Sequence, residues 1–124
     1  MAKNVLIVDD NEHLRQILAS VLRNFGYEVS EAATGDQAIA SAISLNPHLI
    51  LMDLDLPDMS GAEVARAIRN YSAMSDVPII GCSAYIGWEF REEALRAGMV
   101  DYLEKPISPS IIQARIQQFI LAER

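Results

Sequence analysis

The sequence predicts an α/β protein built on one doubly wound, five-stranded parallel sheet. Two observations carry this prediction. Short apolar runs, typical of strands buried on both faces, alternate five times with segments in which apolar residues recur every three or four positions. Only a few residues join each segment to the next. This alternation favours an open parallel sheet with five helices packed on its two faces.

The first four elements follow from apolar spacing and from the residues that end each segment. Residues 4–8 are predicted to be the first strand, because residues 5–8 form a continuous apolar run. A helix follows, because the apolar residues between positions 14 and 25 lie on one stripe. Residues 27–31 alternate like an edge strand. The second helix is predicted to begin at a capping Thr34 and to end before Pro47.

The middle of the chain adds two strands and one helix. Residues 48–52 are predicted to be the third strand. Ser60 and Glu63 have the spacing of a capping box, which predicts a helix over residues 61–71. A fourth strand is predicted over residues 77–82, where the proline lies near the start and is tolerated.

The last three elements complete the alternation. A weaker helical pattern covers residues 88–97, and residues 100–103 form a fifth short strand. Ser108 is a typical N-cap, and Pro109 suits the first helical position. An apolar stripe then continues to Ile120, which predicts a fifth helix.

Length and composition limit the possible functions. The chain has 124 residues, of which 51% are hydrophobic, as expected for one soluble domain over residues 1–124. Its net charge of −7 argues against direct binding to nucleic acid, and no apolar run is long enough to insert into a membrane. A single cysteine and the lack of a signal peptide favour the cytoplasm. We also expect the output to require a separate protein, since no linker divides the chain.

Polar residues follow the predicted strands where each strand ends. Asp9 and Asp10 follow the first strand, Asp53 ends the third, Ser83 ends the fourth, and Lys105 follows the fifth. Ligands of open parallel sheets bind outside the carboxyl ends of the strands. We therefore expect these five side chains to converge on one rim of the sheet.

Convergence of three acids creates an electrostatic cost that suggests a cation. Two carboxylates about 4 Å apart repel by about 4 kcal/mol at an effective dielectric constant of 20. Asp9, Asp10 and Asp53 must therefore take up a proton or hold a cation, and an all-oxygen site suits Mg²⁺. Carboxylates are known nucleophiles in phosphoryl transfer, with cations neutralising the phosphoryl oxygens. These residues predict Asp53 as a phosphoryl acceptor, assisted by Lys105 and the hydroxyl of Ser83.

The motifs together resemble the receiver domain of two-component response regulators. The matching residues occur in order along the whole chain: Asp9-Asp10, Asp53 with Leu56-Pro57 and Ser60-Gly61, Ser83-Ala84, and Tyr102 before Lys105-Pro106. The resemblance implies a flavodoxin-like sheet of strand order 2-1-3-4-5 and a cis peptide between Lys105 and Pro106. It also implies Mg²⁺ bound by Asp10, Asp53 and the backbone carbonyl of Asp55, with Asp9 acting through water.

The resemblance further implies two partner proteins, one that donates the phosphoryl group and one that receives the output. The phosphoryl group would come from a sensor histidine kinase or a histidine phosphotransfer protein. Once on Asp53, it would draw in the Ser83 hydroxyl, and Tyr102 would turn inward. The surface formed by helix four, strand five and helix five would then change and control an output protein. The protein would not be an enzyme, apart from catalysing its own phosphorylation and dephosphorylation.

Some residues depart from the family pattern or have a less specific role. Ser83 stands where many receivers have Thr, but it keeps the hydroxyl. Asp55 adds a fourth acid beside the predicted phosphoryl site, and we hypothesise that it alters the lifetime of the phosphoryl group or the choice of donor. Tyr85 is a candidate shield against attacking water. Asp58 is interpreted as a loop acid near the start of a helix.

Two alternatives stay open at this point. The Asp-x-Asp of Asp53 and Asp55 also resembles the haloacid-dehalogenase-like phosphatases, in which they would be nucleophile and general acid. That family has the motif near the start of the chain, and its Gly-Thr is Leu56-Pro57 here. A degenerate, non-phosphorylated receiver acting as an adaptor is the other alternative, although all five rim residues are present. A dinucleotide site is excluded, since no Gly-x-Gly-x-x-Gly follows the first strand.

Overall fold

Five strands and five helices alternate along the part of the chain that the computed structural model describes, residues 3–84 and 87–122, with side chains to residue 120. The strands are β1 (Asn4–Val8), β2 (Glu28–Ala32), β3 (Leu49–Asp53), β4 (Ile79–Ser83) and β5 (Asp101–Glu104). The helices are α1 (Glu12–Asn24), α2 (Gly35–Leu45), α3 (Gly61–Arg69), α4 (Trp88–Arg96) and α5 (Pro109–Ala122), with a 3₁₀ turn at Ser72–Met74.

All strand pairs are parallel, and the sheet order is β2-β1-β3-β4-β5. The predicted fold class and strand order are therefore confirmed. β3 lies at the centre, with Val8 of β1 paired to Met52 on one side and Cys82 of β4 paired to Asp53 on the other. This order brings the carboxyl end of β3 between those of β1 and β4.

The core has two layers, one on each face of the sheet. Successive strand residues point to opposite faces, so a buried parallel strand contributes to both layers. Leu6, Ile50 and Ile79 pack with α2, α3 and α4, whereas Ile7, Leu51 and Ile80 pack with α1 and α5. Each of these strand side chains is at most 2% exposed. The buried layers hold the strand ends, and hence the rim, in a fixed arrangement.

Several boundaries differ from the predicted ones, each for a local reason. α1 begins at Glu12 because the side chain of Asn11 accepts a hydrogen bond from the Leu14 backbone N–H. α3 ends at Arg69, and the 3₁₀ turn that follows was not predicted. The apolar stripe of α1 is only partly buried, since Leu14 and Ile17 are 39% and 46% exposed. These two residues lie where α1 extends towards the rim.

Two further features bear on the sequence predictions. The peptide between Lys105 and Pro106 is cis, as the resemblance implied. Among the described helices, none combines the length and the apolar character needed to cross a bilayer.

Candidate functional site

Three acids meet at the carboxyl edge of β1 and β3. Asp9 follows β1 and Asp53 is the last residue of β3, and they are only 3% and 4% exposed. Asp10 is exposed beside them. One carboxylate oxygen from each of the three lies within 4.8 Å of the others. The topology thus brings together the three acids that the strand-end rule singled out.

Lys105 enters this cluster from the loop after β5. Its Nζ lies 3.1 Å from Asp9 Oδ2 and 3.4 Å from Asp53 Oδ1. Its backbone N–H donates to the Ser83 carbonyl at 2.8 Å, which fixes the start of the side chain. Burial lowers the pKa of Lys105, but the charges of Asp53 and Asp9 outweigh it, so the pKa is raised. Lys105 is therefore a fixed cation at the rim.

The carboxyl group of Asp53 has a pKa that lies close to neutral pH. Burial raises its pKa to about 6, against the opposing effects of the Asp55 backbone N–H and the Lys105 charge. The Asp55 N–H donates to Asp53 Oδ1 at 3.2 Å. A positive charge added at this rim would favour the ionised form, which is the nucleophilic one.

The donor set fits Mg²⁺. Three carboxylates supply only oxygen ligands, and Lys105 offsets only one of their three charges when all are ionised. Mg²⁺ prefers oxygen ligands, commonly one or two carboxylates together with water and phosphate. Among the described residues, this is the only group of three or more potential ligands close enough to hold a metal ion.

A second set of polar side chains lies on the other side of Asp53. Ser83, at the end of β4, is 1% exposed, and its Oγ donates to Asp55 Oδ2 at 3.2 Å. Tyr102 of β5 is 6% exposed and hydrogen-bonds the Ser83 side chain. Burial raises the Tyr102 pKa, partly opposed by that hydrogen bond. Tyr102 thus already lies inward, in the position that the resemblance assigned to it after phosphorylation.

The loop after β3 folds back tightly and so places Asp55. The Gly61 N–H donates to the Leu54 carbonyl at 3.0 Å, and Asp55 and Ser60 form an antiparallel bridge. A Cβ on Gly61 would lie 2.8 Å from the Asp53 carbonyl oxygen, so a side chain at this position requires the backbone to move. The predicted capping box of Ser60 and Glu63 is present and begins α3 directly after this turn.

Asp58 in the same loop has a role that the sequence did not indicate. Its carboxylate accepts hydrogen bonds from the backbone N–H groups of Gly35 at 2.8 Å and Asp36 at 3.1 Å. These bonds, the Gly35 bond foremost, lower the pKa of Asp58. Asp58 therefore caps α2 and ties the loop to it, whereas the sequence interpretation as a loop acid near the start of a helix did not name the helix. Because Asp58 lies 23 positions after Gly35, no local sequence pattern predicts this capping contact.

Sequence reasoning also missed Arg15 and an apolar groove at the rim. The Arg15 guanidinium donates to the Asp9 carbonyl at 2.9 Å and pairs with Glu31 at 3.0 Å. An arginine on the inner face of a helix is the signal that could have identified it. The groove has a volume of about 270 Å³ and is mainly apolar. Its lining comprises Leu14, Ile17, Leu18, Ala84, Pro106 and Ile107, with Asp9 and Lys105 at its edge.

The predicted site residues therefore form two groups. Asp9, Asp10, Asp53 and Lys105 form one, and Ser83 with Tyr102 and the Asp55 carboxylate forms the other. Tyr85, the predicted shield, lies outside the described residues.

Comparison with known proteins identifies the kind of domain. The model of the response regulator receiver domain family matches residues 5–117. The phosphate regulon transcriptional regulatory protein PhoB of Pseudomonas aeruginosa is 38% identical over 117 residues, which cover 94% of this chain and 51% of PhoB. The chain thus spans about half the length of this curated relative. Because the relative is a transcriptional regulator, the expectation of no nucleic-acid partner is not supported.

Solved structures agree with the observed fold. The chemotaxis response regulator CheY4 of Vibrio cholerae superposes with a TM-score of 0.91 at 31% identity, covering 96% of this chain and 99% of CheY4. The receiver domain of the sensor histidine kinase PA1611 from Pseudomonas aeruginosa has a TM-score of 0.90 at 37% identity, with coverages of 97% and 98%. That structure has a magnesium ion coordinated in its active-site cleft. Family match, relatives and fold agree: this chain belongs to the response regulator receiver domain family.

Proposed function

We propose that Asp53 is the phosphoryl acceptor of this receiver domain and that its donor is a phosphohistidine. One observation carries the proposal: Asp53 is a buried carboxylate at the end of the central strand, 3.4 Å from the Lys105 ammonium group and inside an acidic cluster. Burial of a charged carboxylate costs free energy, and carboxylates with perturbed pKa values cluster at functional sites. Donors of the expected class are sensor histidine kinases and histidine phosphotransfer proteins.

The chain's own residues have distinct roles in the transfer. An oxygen of Asp53 forms the new bond to phosphorus as the bond to the donor imidazole nitrogen breaks, and that electron pair stays with the imidazole. Lys105 pairs with a phosphoryl oxygen and balances its charge. The Ser83 hydroxyl donates to another phosphoryl oxygen. These roles require positioning and charge neutralisation, which is most of what phosphoryl transfer needs.

Asp9, Asp10, Asp53 and the backbone carbonyl of Asp55 would hold Mg²⁺, with Asp9 acting through water. When bound, the ion would neutralise charge on the phosphoryl oxygens. Burial of Asp9 and Asp53 keeps their carboxylates in place before any ligand arrives, whereas the exposed Asp10 marks the open side of the cluster.

The apolar groove is the proposed docking place of the donor. It adjoins Asp9 and Lys105, so a protein surface seated on Leu14 and Ile17 would bring a side chain to the acidic cluster. Both apolar side chains are more than a third exposed, and covering them would contribute favourable free energy to docking. The groove is thus suited to an apolar helix face that carries the phosphohistidine.

The output is proposed to pass through α4, β5 and α5. Tyr102 of β5 connects the interior to this surface through its contact with Ser83. The proposed activity is limited to phosphorylation and dephosphorylation of Asp53 itself, within a single receiver domain over residues 1–124 in the cytoplasm. Family membership does not favour the haloacid-dehalogenase-like phosphatase or the degenerate adaptor.

The test is direct phosphorylation by a small donor. The protein is incubated with acetyl phosphate and Mg²⁺, and its intact mass is measured. We expect a gain of one phosphoryl group that is absent in Asp53→Asn and reduced in Asp10→Asn. Steady release of phosphate from small phosphomonoesters, with no modified protein, would instead favour the phosphatase. No gain in mass with any phosphodonor would favour the adaptor.

A further inference from the structure

The Ser83 hydroxyl is already engaged in the structure, by the carboxylate of Asp55. Ser83 Oγ donates to Asp55 Oδ2 at 3.2 Å. A serine hydroxyl has one proton to donate and two lone pairs that accept. Tyr102 hydrogen-bonds the same side chain. Ser83 therefore links the buried Tyr102 to the exposed Asp55.

The proposed function assigns the same proton a different acceptor. A phosphoryl oxygen on Asp53 would need the Ser83 hydroxyl, and one proton cannot be given fully to two acceptors. Asp55 and the phosphoryl group therefore compete for it. Both acceptors are anionic, and a hydrogen bond to an ionised acceptor is stronger than one between neutral groups, so each holds the proton firmly.

We propose that Asp55 is a latch on the switch: its carboxylate holds the Ser83 hydroxyl, and this hold must be released before Ser83 can engage a phosphoryl group. Asp55 is a positioning residue in this role, and the proposal rests on the proposed function of Asp53 and Ser83. The latch lowers the occupancy of the switched state at a given level of phosphorylation.

The surroundings of Asp55 make release possible. Its side chain is exposed, and it lines an open cavity of about 160 Å³ with Leu54, Ser60, Phe90, Glu93 and Ala94. A freed carboxylate can therefore rotate into water rather than stay buried without a partner. Glu93 of α4, at the same cavity, disfavours a position of the freed carboxylate next to α4. Its path is thus towards solvent.

Two effects of Asp55 must be separated in any test. Its negative charge repels an anionic phosphoryl group whether or not Ser83 is present, whereas the latch acts only through the Ser83 hydroxyl. Asp55→Ala removes both effects. Asp55→Asn removes the charge and keeps an oxygen that accepts from Ser83. Ser83→Ala removes the hydroxyl for which the two acceptors compete.

The experiment is a double-mutant cycle on binding of beryllofluoride, a phosphoryl mimic, in the presence of Mg²⁺, followed by isothermal titration calorimetry. We expect Asp55→Ala to tighten binding by about fivefold when Ser83 is present, in line with loss of one competing hydrogen bond, and by much less in the Ser83→Ala background. We expect a smaller gain for Asp55→Asn. Equal gains in both backgrounds would overturn the latch, because charge repulsion alone would explain them.

A crystal structure of the wild-type complex with Mg²⁺ and beryllofluoride provides an independent readout. We expect Ser83 Oγ to leave Asp55 and to bond the beryllofluoride. An intact Ser83–Asp55 hydrogen bond in that complex would overturn the latch, even if Ser83→Ala binds too weakly for calorimetry. Failure of wild-type protein to bind the mimic at all would overturn the proposed function instead, so the two failures are distinguishable.

Discussion

The two sides of Asp53 are built differently. On the basic side, formed by Asp9, Lys105 and Arg15, contacts are ion pairs and bonds to backbone carbonyls, and Asp9 is 3% exposed. On the hydroxyl side, formed by Asp55, Ser83 and Tyr102, one hydrogen bond of 3.2 Å joins a buried hydroxyl to an exposed carboxylate beside an open cavity. The basic side is held by charge and burial, whereas the hydroxyl side depends on an exchangeable partner.

This difference separates positioning from response. The residues proposed to balance charge throughout the transfer, Lys105 above all, lie where their neighbours restrict them. The residue proposed to report the transfer, Ser83, has a partner that can leave into water. A site that both catalyses and signals needs both kinds of region, because a fully rigid rim could not pass on a change.

Removal of the Lys105 ammonium group from the basic side should have the largest effect on stability. Lys105→Ala leaves Asp9 and Asp53 buried without their counter-charge. In Mg²⁺-free buffer we expect the free energy of unfolding to fall by about 3 kcal/mol, measured by urea denaturation. Lys105→Arg keeps the charge and is the matched control, with a smaller loss. Asp55→Ala, on the hydroxyl side, should change stability by less than about 1 kcal/mol; equal losses on the two sides would contradict the comparison.

Neutralising Asp53 should raise stability. Its folded-state pKa of about 6 lies above the ordinary 3.8, so its ionisation lowers stability progressively as the pH rises from 3.8 to about 6, and the loss is complete above pH 6. In Mg²⁺-free buffer at pH 7.5, the free energy of unfolding of Asp53→Asn should be about 2 kcal/mol higher than that of wild type. The gain should shrink as the pH falls from 6 towards 4, where wild-type Asp53 takes up a proton. If the variant is no more stable than wild type at pH 7.5, burial of the ionised Asp53 carboxylate does not destabilise the protein.

A substitution in the apolar groove beside the basic side should slow phosphotransfer from protein donors but not from small ones. Ile17→Lys places a charge at an exposed position that is proposed to be covered in the donor complex. We expect phosphotransfer from a cognate histidine phosphotransfer protein to slow by about tenfold, equivalent to about 1.4 kcal/mol. Phosphorylation by acetyl phosphate should be unchanged, and it serves as the internal control. Equal slowing with both donors would place the effect at the acidic cluster rather than in docking.

The smallest effect is expected at Asp58, which ties the loop of the hydroxyl side to α2. Its pKa is lowered by the Gly35 and Asp36 N–H groups, so its stabilising contribution is complete above the ordinary 3.8 and is lost as the pH falls through the lower, folded-state value. Asp58→Asn should therefore be slightly less stable than wild type at pH 7, and equally stable in strong acid. Urea denaturation at both pH values tests this; a difference that persists in acid would exclude the capping role.

Much of the fold was predictable, because local patterns and global topology agree. Buried strands such as Leu49–Asp53 have continuous apolar runs, and caps such as Ser60 with Glu63 mark helix starts within a few residues. The acidic cluster followed from a topological rule that needs only the order of strand ends. Convergence of Asp9, Asp53 and Lys105 therefore required no knowledge of side-chain packing.

The missed features depend on loops and on distant neighbours. The bond between Asp55 and Ser83 joins residues 28 positions apart and requires the return of the loop at Gly61. Asp58 caps a helix that precedes it by more than twenty residues. Leu14 and Ile17 continue the apolar period of α1 into the exposed groove, so spacing alone could not show that they leave the core.

The central claim is that the phosphoryl group is carried by Asp53, and locating the modified residue tests it most directly. After incubation with acetyl phosphate and Mg²⁺, reduction with borohydride converts an aspartyl phosphate to homoserine, which peptide mass spectrometry can place. We predict homoserine at position 53 only. Homoserine at position 9, 10 or 55, or phosphate on a histidine or serine, would contradict the account.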